Sequence, residues 1–118
     1  MEPLAFERWV LQQFRKVGYE ANPTPTSGDG GADAIIRDPK NKIHIIMQCK
    51  HRQSGKVDKK IIEDLLRAKL TYHLENSLLV GISNQNYTNL ALEHAKKNKI
   101  ILIDRNQLLD FSNIFAKT

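Results

Sequence analysis

Three polar residues near the middle of the sequence have types and a spacing that suit metal-dependent hydrolysis. Asp33 follows a glycine-rich run, and Gln48 and Lys50 end an apolar run with one residue between them. A carboxylate and an amide oxygen can hold Mg²⁺, and an ammonium can orient water or offset phosphate charge. Each residue alone is more often the polar end of a strand. The interpretation therefore depends on whether the fold brings the three together.

A β-hairpin would do so. The turn-forming run from Asp38 to Asn41 separates two segments that are predicted to be strands, residues 32–37 and 43–49. With the turn centred between positions 39 and 40, Asp33 lies opposite Ile46 and diagonal to Gln48. Strand alternation places Gln48 and Lys50 on the face that Asp33 shares. This predicts that a carboxylate, an amide oxygen and an ammonium converge.

The other elements follow from hydrophobic spacing and from capping residues. Helices are predicted over residues 3–17, from Asp58 to about Glu75, from Thr88, and over 106–115, and strands over 19–24, 77–82 and 100–103. The order αβββαβαβα, with hairpins before helical crossovers, predicts an α/β fold with a mixed β-sheet flanked by helices. We expect residues 1–118 to form one domain.

Glu7 falls among the apolar residues of the first helix, where a carboxylate needs a partner. A structural role in a salt bridge and a role near a metal ion, through water, are about equally favoured. Asp29 lies between glycines, and a turn-forming role is slightly favoured over a role in supporting the residues that bind the metal.

The composition excludes several classes of protein. The 118 residues are 41% hydrophobic and 26% charged, as in a compact domain, and no apolar run is long enough for a membrane span. We expect a soluble, cytoplasmic protein. Cys49 is the single cysteine, so neither an internal disulfide nor a cysteine-rich zinc site is expected.

The formal charge of +5 favours a polyanionic partner, although many small basic proteins bind none. Basic residues follow the strand that carries Lys50, and they suit phosphate contacts better than base reading. Any one of them is more often part of a solvated face. The cluster comprises His51, Arg52, Lys56, Lys59 and Lys60. Ser83 and Asn84 would reach DNA or cap the helix that follows.

These residues resemble the catalytic domains of Mrr-like restriction endonucleases, a branch of the PD-(D/E)XK nuclease superfamily. The resemblance covers nearly the whole chain. It runs through Phe6-Glu7, Gly28-Asp29-Gly30-Gly31-Ala32-Asp33, Gln48-Cys49-Lys50, Ser83-Asn84 and Ile103-Asp104.

The resemblance implies a restriction-endonuclease-like fold and a Mg²⁺-dependent endonuclease of restriction or defence type that cuts DNA, with Mn²⁺ as a substitute ion. Asp33 matches the metal-binding aspartate, Gln48 the second ligand and Lys50 the catalytic lysine, and the Cys49 backbone carbonyl would face the metal. Glu7 matches a glutamate beside the active site. A glutamine ligand carries no charge, so we expect looser ion binding than at a site with two carboxylates. A homodimer, and a separate recognition domain or partner protein, are further expectations.

Three other functions remain open. The glutamine is compatible with an inactive DNA-binding module of the same fold. A protein-interaction domain with incidental charge fits less well, because Asp33, Gln48 and Lys50 occur together. A nucleotide-binding enzyme fits least, since the glycine run lacks the lysine of a phosphate loop and precedes a strand.

Overall fold

The computed structural model describes residues 2–24, 32–40, 42–74 and 76–115. Its elements are α1 (Pro3–Lys16), β1 (Glu20–Pro23), β2 (Ala34–Asp38), β3 (Ile43–Lys50), α2 (Lys60–Thr71), β4 (Leu78–Ser83), α3 (Asn89–Lys97), β5 (Ile101–Ile103), a 3-10 turn (Leu108–Asp110) and α4 (Phe111–Ile114). The predicted element order is confirmed. Within the described residues, no helix is both long and apolar enough to cross a membrane.

The five strands form one sheet in the order β1-β2-β3-β4-β5. The first three pair antiparallel, whereas β3, β4 and β5 run parallel. Parallel neighbours need crossover connections, which α2 and α3 provide. Because both crossovers step the same way along the sheet, right-handedness places both helices on one face. The predicted mixed sheet flanked by helices is therefore confirmed.

Each face of the sheet has its own hydrophobic cluster. Phe14 of α1 and Phe111 of α4 pack with Met47 on one face, and Leu65 of α2 packs with Ile46 on the other. The middle of β3 is buried on both sides, which explains its uninterrupted apolar sequence. Packing on both faces thus holds β3 rigidly, and the polar residues at its end are held with it.

The predicted hairpin register is wrong by two residues. Ile46 pairs with Ile35, so it does not face Asp33 as predicted. The ladder ends at the pair Asp38–Ile43, so the loop spans four residues where the prediction assumed a tighter turn. Lys42 closes this loop with a φ of 56° and donates its N–H to the Asp38 carbonyl at 2.9 Å.

The error is an even number of residues, so it leaves every side chain on the predicted face. The observed register, extended by one pair beyond Ala34–Met47, places Asp33 directly across from Gln48. Opposite residues lie closer together than diagonal ones, so Asp33 and Gln48 are nearer to each other than the prediction placed them.

Two helices differ from their predicted bounds. Helix α2 begins at Lys60 and ends at Thr71, and the Asp58 carboxylate accepts a hydrogen bond from the Lys60 N–H at 3.0 Å. The predicted end near Glu75 is wrong, because residues 72–74 are described and are not helical. The predicted helix over 106–115 begins later, because Asp104 accepts the N–H groups of Asn106 and Gln107 and forms a turn first. Thr88 does cap α3, as predicted, by accepting from the Ala91 N–H at 3.1 Å.

Candidate functional site

The candidate site lies at the edge of the sheet where the parallel strands end. Lys50, the last residue of β3, pairs with Ser83, the last residue of β4. Because β2 runs antiparallel to β3, the residues just before β2 meet the same edge, and Asp33 is one of them. Carboxyl ends of parallel strands are a common place for ligand sites in α/β sheets.

The Asp33 side chain is held in one orientation by the backbone of β3. Its Oδ2 accepts a hydrogen bond from the Cys49 N–H at 2.6 Å, and its own N–H donates to the Met47 carbonyl at 2.8 Å. Thr24, which follows β1, also fixes this residue, because its N–H donates to the Asp33 carbonyl at 2.8 Å. These hydrogen bonds hold the carboxylate in a defined position.

Burial is the main influence on Asp33 ionisation and raises the pKa of its carboxyl. The hydrogen bond from Cys49 and the charge of Lys50 act in the opposite direction, and the charge of Asp64 raises the pKa further. A nearby cation would favour the ionised form of this carboxyl.

Gln48 provides the least expected feature of the site. Its Oε1 is buried, and among the described residues it has no hydrogen-bond partner. Its neighbour on β4 is Gly81, where a Cβ would lie 2.9 Å from Ile61 Cδ1, so α2 packs closely over this part of the sheet. A buried acceptor without a partner is uncommon and costs free energy. The atom is suited to a ligand that supplies positive charge.

Glu7 lies on α1, on the other side of the sheet edge, and is half-buried. Burial raises the pKa of its carboxyl, the charge of Asp33 raises it further, and Arg8 lowers it. The structure therefore brings Glu7 into the electrostatic field of Asp33. A ring contact also joins α1 to the residue after β3, since the ring centroids of Phe6 and His51 lie 5.6 Å apart.

The Cys49 thiol takes no part in this arrangement. It packs against the cluster on the α1 face, and burial raises its pKa well above the ordinary value, with further contributions from Asp33 and Glu7. Such a thiol stays protonated and is a poor nucleophile or metal ligand. Cys49 contacts the candidate site through its backbone, whose N–H donates to Asp33.

Asp64 is a buried acid that the sequence analysis did not single out. It is 5% exposed on α2, it pairs with Arg67 at 3.1 Å, and its charge raises the pKa of Asp33. Helical spacing could have revealed it, because position 64 falls on the same face as Ile61 and Leu65. The same reasoning identified Glu7.

The predicted basic cluster is mostly on the surface. Arg52, Lys56, Lys59 and Lys60 are exposed, and His51 is half-buried. Lys59 lies 4.0 Å from Glu63, an exposed pair that contributes little stability. These residues are available to a partner at the edge where β3 ends.

Ser83 and Asn84 make contacts within the protein. Ser83 is fully buried, so its side chain presents no surface to DNA, and its Oγ accepts from the Gln85 N–H at 3.0 Å. The Asn84 side chain makes two hydrogen bonds to the main chain of Arg52. The glycine-rich run with Asp29 lies outside the described residues.

The donor set suits a hard cation held by few protein ligands. Within the described residues there is no cluster of three or more His, Cys, Asp or Glu side chains placed to hold a metal. The oxygens that converge are the Asp33 carboxylate and the Gln48 amide, with the Cys49 backbone beside them. Mg²⁺ keeps several waters and often binds through one or two carboxylates, so this set fits it.

Comparisons with known proteins identify the class. The family model Mrr_cat, described as a restriction endonuclease, matches residues 1–112. The chain belongs to this family of restriction endonuclease domains. No match was found among curated proteins.

Solved structures of nucleases share the fold. MspJI restriction endonuclease, in complex with a 27-mer oligonucleotide, is 20% identical with a TM-score of 0.65, covering 91% of this chain and 27% of that one. A repair endonuclease from Pyrococcus abyssi is 16% identical with a TM-score of 0.62, covering 86% and 44%. A complex of EndoMS with double-stranded DNA is 11% identical with a TM-score of 0.64, covering 84% and 42%. The chain thus spans less than half of each of these proteins.

Proposed function

We propose that the chain is a Mg²⁺-dependent endonuclease that hydrolyses phosphodiester bonds in DNA. The observation that carries the proposal is the Gln48 Oε1, buried without a partner among the described residues and across the sheet edge from Asp33. Membership of a restriction endonuclease family supports the reaction class. DNA in the MspJI and EndoMS complexes supports the substrate class.

Asp33 and Gln48 would hold the ion, with the Cys49 backbone carbonyl as a third protein oxygen and water in the other positions. A bound Mg²⁺ supplies positive charge that lowers the pKa of water and stabilises charge on the phosphate in the transition state. Mn²⁺ accepts the same oxygen ligands and would substitute.

The chain's own residues orient the reactants. The Cys49 N–H keeps the Asp33 carboxylate in place, so that no reorganisation is needed when substrate arrives. Lys50 lies close enough to lower the pKa of Asp33, and from there its ammonium orients the attacking water and offsets phosphate charge. Glu7, half-buried on α1, acts on this site through water.

The exposed basic residues after β3 would contact DNA phosphates. His51, Arg52, Lys56, Lys59 and Lys60 form this predicted contact surface. Phosphate contacts position the duplex without reading sequence, so recognition of a target needs other residues. We propose that residues 1–118 are one nuclease domain that acts with a separate recognition domain or partner protein, and that double-strand cutting uses a homodimer.

The second candidate is an inactive DNA-binding module of the same fold. The observation that favours it is the scarcity of acidic ligands among the described residues, since glutamine matches the second ligand position. Incubation of supercoiled plasmid with Mg²⁺, with Mn²⁺ and with EDTA, alongside a gel-shift assay, separates the two. The proposal predicts nicked or linear plasmid only with a divalent ion. A DNA shift without cleavage under any of these conditions would favour the module.

A further inference from the structure

The loop that follows Lys50 is held by side chains from the next strand connection. Asn84 Oδ1 accepts the Arg52 N–H at 2.9 Å, and Asn84 Nδ2 donates to the Arg52 carbonyl at 2.8 Å. Gln85 Nε2 donates to the same carbonyl at 3.0 Å. Three side-chain hydrogen bonds therefore converge on the main chain of one exposed residue.

The Arg52 side chain is itself held by its loop. Its Nε donates to the Ser54 carbonyl at 3.2 Å. Gly55 follows with a φ of 84°, and a Cβ there would lie 3.5 Å from Arg52 Nη2. The guanidinium therefore rests over the Ser54–Gly55 turn, and its two terminal nitrogens make no hydrogen bond to another described residue, so they can donate to a ligand.

The segment between β4 and α3 also holds the chain just before α2. Val57 forms an isolated bridge with Tyr87 and donates its N–H to the Asn86 carbonyl at 2.9 Å. The chain on either side of Arg52 is thus fixed at two points, the end of β3 and Val57. Arginine has many rotamers, and a fixed main chain and a fixed Nε reduce the entropy that a ligand contact would cost.

The location suits a contact with a nucleic-acid backbone. Arg52 is two residues beyond Lys50, so it lies near the edge of the sheet that carries the candidate site. Arg52 and Asn84 also line an open cleft of about 510 Å³ beside the start of α1. A guanidinium is the side chain best suited to a phosphate in such a position.

We propose that Asn84 and Gln85 are positioning residues that hold Arg52 so that its guanidinium binds a DNA phosphate next to the one attacked. The inference rests on the proposed function, because it takes DNA as the ligand. In this proposal Asn84 does not contact DNA directly, as the sequence suggested, but acts indirectly through the main chain of Arg52.

A double-mutant cycle distinguishes the two roles. Binding of a fluorescent duplex is measured by anisotropy in EDTA, so that no cleavage occurs, over a series of salt concentrations. The proteins are wild type, Arg52→Ala, Asn84→Ala and the double variant. Asn86→Ala is the matched control, because Asn86 is exposed and its side chain makes no hydrogen bond to another described residue.

The proposal predicts that Arg52→Ala weakens binding several-fold and lowers the salt slope by about one unit. Asn84→Ala weakens binding in the wild-type background, and in the Arg52→Ala background it has almost no further effect. Asn86→Ala binds like wild type. Coupling of this kind is expected only if Asn84 acts through Arg52.

Three results would overturn the proposal. Equal losses from Asn84→Ala in both backgrounds would mean that Asn84 contacts DNA itself, and no loss in either would mean that the loop needs no such support. Absence of DNA binding by wild type would overturn the proposed function as well. If Asn84→Ala does not fold, as judged by its thermal transition, Gln85→Ala takes its place in the cycle, since it removes one of the three hydrogen bonds.

Discussion

Replacement of Gln48 by glutamate tests the metal site, because it adds a second carboxylate across from Asp33. Residues directly opposite in an antiparallel pair have Cβ atoms about 5 Å apart. At that separation and an effective dielectric constant of about 20, two negative charges repel by about 3 kcal/mol. Protonation of one carboxyl relieves part of this repulsion. We therefore expect Gln48→Glu to lower the free energy of unfolding by about 1–3 kcal/mol in the absence of metal.

The effect should reverse when the ion binds. Thermal unfolding is followed in EDTA and in millimolar Mg²⁺, and each kcal/mol corresponds to a shift of roughly 4 °C in a domain of this size. In EDTA, Gln48→Glu should melt several degrees below wild type. Mg²⁺ should raise its melting temperature more than that of wild type, because a site with two carboxylates binds the ion more tightly. Calorimetry should give a lower Kd for Mg²⁺ in the variant.

Gln12→Glu is the matched control, since Gln12 is exposed on α1 and the substitution changes the net charge by the same amount. It should melt like wild type under both conditions. Equal Mg²⁺ affinity in wild type and Gln48→Glu would refute the assignment of position 48 as a ligand.

The remaining predictions concern the other site residues. Lys50→Ala should abolish plasmid cleavage and leave Mg²⁺ binding measurable by calorimetry, because Lys50 acts on water and phosphate. In EDTA, Asp33→Asn should melt above wild type at neutral pH, because burial raises the Asp33 pKa and its ionised form destabilises the fold. The difference in melting temperature between Asp33→Asn and wild type should shrink as pH falls through that raised pKa, because wild type regains stability by binding a proton. Neutralisation of Lys56, Lys59 and Lys60 together should weaken anisotropy-measured binding to unrelated duplexes by similar factors, with the salt slope smaller by up to about one unit per lost contact.

The sequence was sufficient to predict the element order and the faces of the strands. Strand alternation put Gln48 and Lys50 on the face of Asp33, and an even-numbered register error does not change faces. The register itself depends on how the chain closes the loop before Ile43. Lys42 does this with a left-handed backbone conformation that its residue type does not signal.

Local sequence patterns did not predict the contacts between segments that are distant in the chain. The hydrogen bonds of Asn84 to Arg52 join residues 32 positions apart, and they form only because β3 and β4 are parallel neighbours. For the same reason the sequence did not reveal that Gln48 Oε1 lacks a partner among the described residues. Asp64 was overlooked even though its helical position was informative.

Side-by-side cleavage of supercoiled plasmid by wild type and by Asp33→Ala, purified identically, tests the central claim most directly. The account predicts that wild type converts the plasmid to nicked and linear forms with Mg²⁺ and not with EDTA. It predicts that Asp33→Ala leaves the plasmid intact under both conditions while it unfolds in a cooperative thermal transition, because Asp33 lies before β2 and outside both hydrophobic clusters. Unchanged cutting by Asp33→Ala would contradict the account.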